Sequence, residues 1–199
     1  MKMTYFITFL ILCTLPFYGY AQLKHGDVLE DFRLIEPATN EYFDLSKEHD
    51  HKILVLIFFS HECPYSKIYI ERLIKLAKSY DSKEVFFVAV HPKFTTQTDE
   101  QIAEMNTYSA RFPLPFSYLI DQAAVLAKTL HVAKVPTVFV LKNIDNRYIM
   151  EYQGAIDDAP EKEKQITEPY LQKAITALLA NKSFKYRHTE PVGCSVKIN

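Results

Sequence analysis

Seven consecutive apolar residues, Ile53 to Phe59, mostly β-branched or aromatic and bounded by polar positions, predict a strand buried on both faces. The period then becomes helical. Ile68, Leu73, Leu76 and Ala77 recur on one side, while Lys67, Glu71, Arg72, Lys75 and Lys78 fill the other, predicting a helix that ends near Tyr80. Pro64 suits the first turn of that helix, where its missing N–H has no partner to lose. Val85 to Val90 predicts a second buried strand, closed by His91 and Pro92. Asp99 to Ala110 follows as a helix with Thr98 as its N-cap, Phe116 to Ile120 as a short strand, and Asp121 to Leu130 as a short helix capped by Asp121. Val135 to Leu141 and Tyr148 to Gln153 read as strands joined by the turn residues Asn143 to Asn146, hence an antiparallel hairpin. The last helix runs from Glu168 to Leu179, with Leu171, Ala174, Ile175, Leu178 and Leu179 on its apolar face. Ahead of all this, Gly26 to Leu34 and Tyr42 to Ser46 read as short edge elements forming a hairpin.

Strands alternating with helices build an open α/β sheet with helices on both faces, and such sheets carry their sites at the C-terminal ends of the strands. The chain has 199 residues, enough for one full-sized domain and some extension. Residues 1–21 account for part of the extension. Lys2, the apolar run Tyr5 to Phe17 and the small residues Gly19 and Ala21 read as a cleavable secretory signal peptide. An uncleaved anchor would need a longer run, and a lipoprotein signal ending at Cys13 would need a small residue where Leu12 stands. The expected organisation is signal peptide 1–21, one α/β domain over 22–182, and a tail over 183–199 carrying Cys194. This places the mature chain outside the cytoplasm of a bacterium, secreted or periplasmic, with no integral membrane segment once the signal is removed.

Lys2 is the one charged side chain in the signal, so the mature chain holds 22 basic and 24 acidic side chains. With that balance, and no basic patch interleaved with aromatics, the sequence argues against a nucleic-acid partner. Cleavage also removes Cys13 and leaves two cysteines, Cys63 and Cys194, in a compartment that permits disulfides.

Cys63 stands where the first strand gives way to the first helix. Unpaired N–H groups and the dipole at a helix N-terminus favour the thiolate, the reactive form of cysteine, so a lowered thiol pKa is expected there. A small buried hydrophobe is the plainer alternative. Pro136 is the second informative residue, because a proline opening a central strand is awkward unless its N–H side faces away from the ladder toward a site.

In this order and spacing the motifs resemble the thioredoxin fold, specifically its redoxin and peroxiredoxin-like branch. The matching residues are the opening Gly26, Asp27, Asp31, Phe32 and Leu34, the Phe-x-x-His-x-Cys-Pro-Tyr run ending at Tyr65, and Val135-Pro136-Thr137. Gly154, Ile156, Asp157 and Asp158, and the closing Pro191 to Lys197 with Gly193 and Cys194, complete the resemblance over essentially the whole mature chain. It implies a central mixed sheet flanked by helices with an N-terminal redoxin extension, and a cis Val135–Pro136 bond beside Cys63. Two features depart from the pattern. Ser66 occupies the place of the second cysteine of dithiol thioredoxins, and no arginine stands in the segment of Val135, Pro136 and Thr137 where peroxiredoxins carry one. Ser60 could imitate the peroxiredoxin threonine hydroxyl, and Arg111 or Arg147 could supply the guanidinium only through tertiary geometry.

The expected activity is a thiol-dependent oxidoreductase without a cofactor. Cys63 attacks a disulfide or a peroxide, on a protein or a small molecule, and an external thiol restores it. Cys194 is the candidate to resolve the product; a structural disulfide with Cys63 or a free thiol are its alternatives. His61, two residues before Cys63, could lower the thiol pKa or carry a proton, or could simply be a solvent-facing loop residue. Pro64, Tyr65, Ser66 and Val135 are read as the surface that a substrate or partner meets, with ordinary packing the alternative for Tyr65. Two other classes remain: a copper-binding protein using His61, Cys63 and His91 or His131, and a catalytically idle binding module. The copper reading lacks the Cys-x-x-x-Cys pair of the chaperones it would resemble, and zinc-type spacing is missing, so no resident metal is expected.

Overall fold

The structure is a computed structural model that describes residues 23–81, 83–92 and 99–197. The signal-peptide reading of residues 1–21 and the Thr98 cap lie outside the described residues. The main sheet has eight strands: β1 (Val28–Leu29), β2 (Arg33–Glu36), β3 (Glu41–Asp44), β4 (Ile53–Phe58), β5 (Val85–Pro92), β6 (Ser117–Asp121), β8 (Thr137–Ile144) and β9 (Arg147–Gly154). They are arranged β1-β9-β8-β4-β5-β6-β2-β3. Strands β4, β5 and β6 run parallel, and β8 and β9 are antiparallel additions. Two further short strands, β7 (Lys134–Val135) and β10 (Cys194–Ser195), pair with each other outside this sheet. Among the described residues there are four α-helices: α1 (Pro64–Lys78), α2 (Asp99–Arg111), α3 (Val125–Thr129) and α4 (Tyr170–Leu179).

The run Ile53 to Phe59 is central because both of its faces are apolar. Ile53, Val55, Ile57 and Phe59 join one core with Tyr69, Ile70 and Leu73 of α1 and Leu171, Ala174 and Ile175 of α4. Leu54, Leu56 and Phe58 join the opposite core with Leu126 and Ala127 of α3, Leu45 and Phe139. The strand thus separates two hydrophobic layers, and the predicted mixed α/β sheet with helices on both faces is the one observed.

Several local expectations change. On α1 the buried stripe is Ser66, Tyr69, Ile70 and Leu73, and Ile68 faces outward at 43% exposure, because the aromatic Tyr69 rather than Ile68 points at the sheet. The opening segment divides between the two edges of the sheet. Strands β2 and β3 form the expected hairpin beside β6, but Val28 and Leu29 pair with Ile149 and Tyr148 of β9 at the far edge. The helix expected from Asp121 shrinks to the five residues of α3. Asp121 instead ends β6, and its buried carboxylate accepts the N–H of Ala127 at 2.8 Å. Burial pushes its pKa up, against the lowering effect of the helix amides it faces. In the β8–β9 hairpin, Asp145 and Asn146 both take positive φ, the conformation that a two-residue primed turn demands.

Candidate active site

The end of β4 delivers the chain to a tight turn that sets Cys63 at the N-cap of α1. The Ser60 carbonyl accepts the Cys63 N–H at 3.1 Å, the Ser60 hydroxyl accepts the Glu62 N–H at 3.2 Å, and the Ser66 hydroxyl accepts the Ser60 N–H at 3.4 Å. Ser60 and Ser66 are 1% and 0% exposed, so both hydroxyls brace the turn from inside. This corrects the expectation for Ser66, whose side chain meets Ser60 rather than a partner. Pro64 occupies the first helical position, and the Cys63 side chain makes no capping hydrogen bond, which leaves the opening amides of the helix directed at the Cys63 end.

Cys63 is buried, and its sulfur is bonded to that of Cys194 across a Cα–Cα distance of 6.0 Å. As half of a disulfide it is not available as a copper ligand in this state. The Cys63 sulfur also lies 3.3 Å from the carbonyl oxygen of Val135. The Val135–Pro136 peptide is cis, in agreement with the resemblance. Val135 itself is fully buried, and its backbone pairs antiparallel with Cys194 in β10. Cys194 therefore reaches Cys63 on an extended strand laid against the residue before Pro136.

The described part of the tail is anchored at several points. Phe184 packs into the core against Tyr152, with ring centroids 5.5 Å apart. The Thr189 hydroxyl accepts the Ala155 N–H at 2.9 Å, and the Thr189 N–H donates to the Gln153 carbonyl at 3.1 Å. Gly154 and Gly193 make the last approach possible. A Cβ on Gly154, at φ +147°, would run into the Thr189 backbone, and one on Gly193 would run into the Val135 carbonyl. Gly193→Ala should thus push β10 away and make the disulfide about 10–100-fold easier to reduce, the equivalent of an overpacking cost of about 1–3 kcal/mol. Equilibration with a glutathione buffer series measures this, and an unchanged midpoint would contradict the close-packing argument.

His61 is 8% exposed, not solvent-facing as one expectation had it. Tyr118 reaches across from β6 to accept the His61 N–H at 3.2 Å, and its ring stands edge-on to that of Phe59. Burial lowers the His61 pKa, against opposition from Glu62 and Glu104, and burial takes His91 down to about 4. Burial thus disfavours the charged form of both imidazoles, that of His91 the more strongly. His91 sits 5.3 Å from His61, ring to ring, whereas His131 is exposed in the turn after α3. Tyr65 is half-buried against the α3-side core, so packing accounts for at least part of it. The two candidate arginines are placed differently. Arg147 begins β9 at the opposite end of the sheet, beside Ile144, and Arg111 lines a groove with His61.

Other residues that the sequence singled out are braces. Asp157 accepts from Tyr69 Oη at 2.7 Å and Arg72 Nη1 at 3.0 Å, and Asp158 holds the Thr167 and Glu168 amides before α4. The residue least visible from the sequence was Tyr118. It stands in the middle of the short run Phe116 to Ile120, which marks a strand but not a contact with the turn, two strands away in the sheet.

Residues 50–147 match the family model described as thioredoxin-like. With the strands and helices around them, they show a thioredoxin-like fold. Within that fold the solved structures the chain resembles include redoxins of two kinds. The chain is similar over 90% of its length to 97% of a hypothetical protein from Sinorhizobium meliloti 1021, at 26% identity and a TM-score of 0.78. It is also similar in fold to the peroxidoxin BcpB of Mycobacterium tuberculosis, at 17% identity and TM-score 0.60, over 81% of this chain and 100% of that one. A protein from Chlorobium tepidum described as a thiol:disulfide interchange protein, DsbE, shares the fold at 18% identity and TM-score 0.57, over 80% and 98% of the two chains. No curated protein sequence matches.

Proposed function

We propose that this chain is a secreted or periplasmic thiol-dependent oxidoreductase in which Cys63 is the attacking sulfur and Cys194 resolves the product. The observation that carries the reading is the bond between a cysteine at a helix N-cap and a cysteine on a strand seated beside Pro136. In the reduced protein the Cys63 thiolate attacks one sulfur of a substrate disulfide. A mixed disulfide forms and one substrate thiolate leaves. The Cys194 thiolate then attacks the Cys63 sulfur, expelling the second substrate thiolate and closing the intramolecular disulfide. The substrate gains two electrons, the protein loses two, and an external thiol reductant returns them. Run backwards, the same steps oxidise a dithiol.

Disulfide exchange is the reading we favour over peroxide reduction, because the segment Val135, Pro136 and Thr137 beside the sulfur carries no arginine and Arg147 stands at the opposite end of the sheet. The signal-peptide reading supports the location, and no helix among the described residues is long and apolar enough to cross a membrane.

Intact mass after alkylation, taken as isolated, after reductant and after a small-molecule disulfide, tests this directly. The expected pattern is no adduct, then two, then none again, while Cys194→Ser accumulates a mixed disulfide on Cys63. If the variant turns over as fast as wild type with an external thiol, Cys194 has no resolving role. Reclosure of the reduced protein by stoichiometric hydrogen peroxide much faster than by disulfides would favour peroxide as the substrate.

A further inference from the structure

A groove opens between the turn that precedes α1 and the face of α2, lined among others by His61, Glu62, Lys67, Glu104, Tyr108 and Arg111. We propose that it holds a divalent first-row transition-metal ion, ligated by Nε2 of His61 and by the carboxylates of Glu62 and Glu104. A ring nitrogen of His61 and one carboxylate oxygen from each glutamate lie within 4.8 Å of one another. The site draws on two separate elements, because Glu104 comes from α2 while His61 and Glu62 belong to the turn after β4.

Two observations beyond the pair of acids point to a cation. His61 is more than nine-tenths buried, and its Nε2, shielded from solvent, has no hydrogen-bond partner among the described residues. Folded proteins seldom leave such an atom unsatisfied. The second observation is the tautomer. Tyr118 Oη lies 3.2 Å from the Phe59 carbonyl, which takes its only proton. Toward His61 Nδ1, 3.4 Å away, that oxygen can then only accept. The imidazole proton is thereby assigned to Nδ1 and the lone pair to Nε2. A ring nitrogen with its lone pair left without a donor, and the other N–H held by an oxygen, is how protein ligands to transition metals are oriented.

A bound ion would draw the donor atoms to about 2.0–2.2 Å from itself. His61 is fixed, and the two glutamates, both exposed, have the rotamer freedom to close on it. One imidazole with two carboxylates suits Zn²⁺ or Mn²⁺, whereas Mg²⁺ and Ca²⁺ prefer all-oxygen shells and Cu⁺ prefers sulfur. The groove's charges also favour a cation, with Glu62, Glu100 and Glu104 set against Lys67 and Arg111. Neither sulfur is a ligand, so the site is independent of the redox reading of Cys63.

The test is calorimetric titration of the tag-free mature protein, disulfide intact, with Zn²⁺ in the presence and absence of excess Mg²⁺. One equivalent should bind, Mg²⁺ should not compete, and the His61 ring resonances should shift. Glu104→Gln and Glu62→Gln should each weaken Zn²⁺ at least about tenfold. Both positions are exposed, so circular dichroism should show the fold unchanged; His61→Asn, a buried change, is the confirming variant. Absence of saturable Zn²⁺ binding, an affinity unchanged by Glu104→Gln, or equal competition by Mg²⁺ would each overturn the assignment.

Discussion

Replacing Cys194 by serine is expected to lower the free energy of unfolding by about 4–5 kcal/mol, the chain-entropy value for a closed loop of this length. The two sulfurs join positions 131 residues apart, so the oxidised unfolded chain is confined in a way that the variant is not. In the folded state little else changes, since Phe184 and the Thr189 hydrogen bonds hold the tail independently of the sulfur. Urea unfolding of oxidised wild type, reduced wild type and Cys194→Ser should therefore give two coincident curves and one displaced to higher denaturant. A variant within about 1 kcal/mol of oxidised wild type would show that the unfolded chain is already compact, and that the bond serves exchange alone.

Arg72→Met should cost about 3–5 kcal/mol, although the residue lies outside the candidate active site. Its guanidinium donates to Asp157 at 3.0 Å and to the carbonyls of Ala159 and Pro160 at 3.0 and 3.2 Å. The two side chains are only 10% and 4% exposed, so removing the cation strands a carboxylate in the interior with Tyr69 Oη and the Ala159 N–H as its remaining donors. The double variant Arg72→Met, Asp157→Asn should recover part of the loss, because the charge left without a partner is gone. Thermal or urea unfolding of the three variants measures the coupling. A loss below about 1 kcal/mol for Arg72→Met, the range of a surface pair, would mean that water reaches Asp157.

Much of the fold was readable because the strands are strongly periodic and their boundaries carry chemistry. Ile53 to Phe59, Pro64, and the turn within Asn143 to Asn146 each declare their place through local physics alone. Val28 and Leu29 did not, since two apolar residues can pair at either edge of a sheet, and their choice of β9 is made by tertiary packing. The short α3 was overextended for a similar reason. Its composition is helical, but a left-handed Ala124 and the reach of Asp121 to the Ala127 amide confine it. At the candidate site, Cys63 was legible from the strand-to-helix junction, whereas the burial of His61 was not. That burial depends on Tyr118, 57 positions away in the chain, and nothing in a local pattern reports such a contact.

The strand that carries Cys194 also determines what can approach Cys63. It already occupies the backbone of Lys134 and Val135, so the closed protein contains its own tethered competitor. Tethering of this kind typically corresponds to an effective concentration in the millimolar range for short flexible connections. An outside thiol present at far lower concentration gains little from reactivity alone. A polypeptide segment able to lie extended along the same two residues gains from backbone pairing as well, as in recognition by strand addition. The tail should therefore discriminate by shape before any sulfur exchanges, passing over compact thiols in favour of partners that can offer a stretched piece of chain.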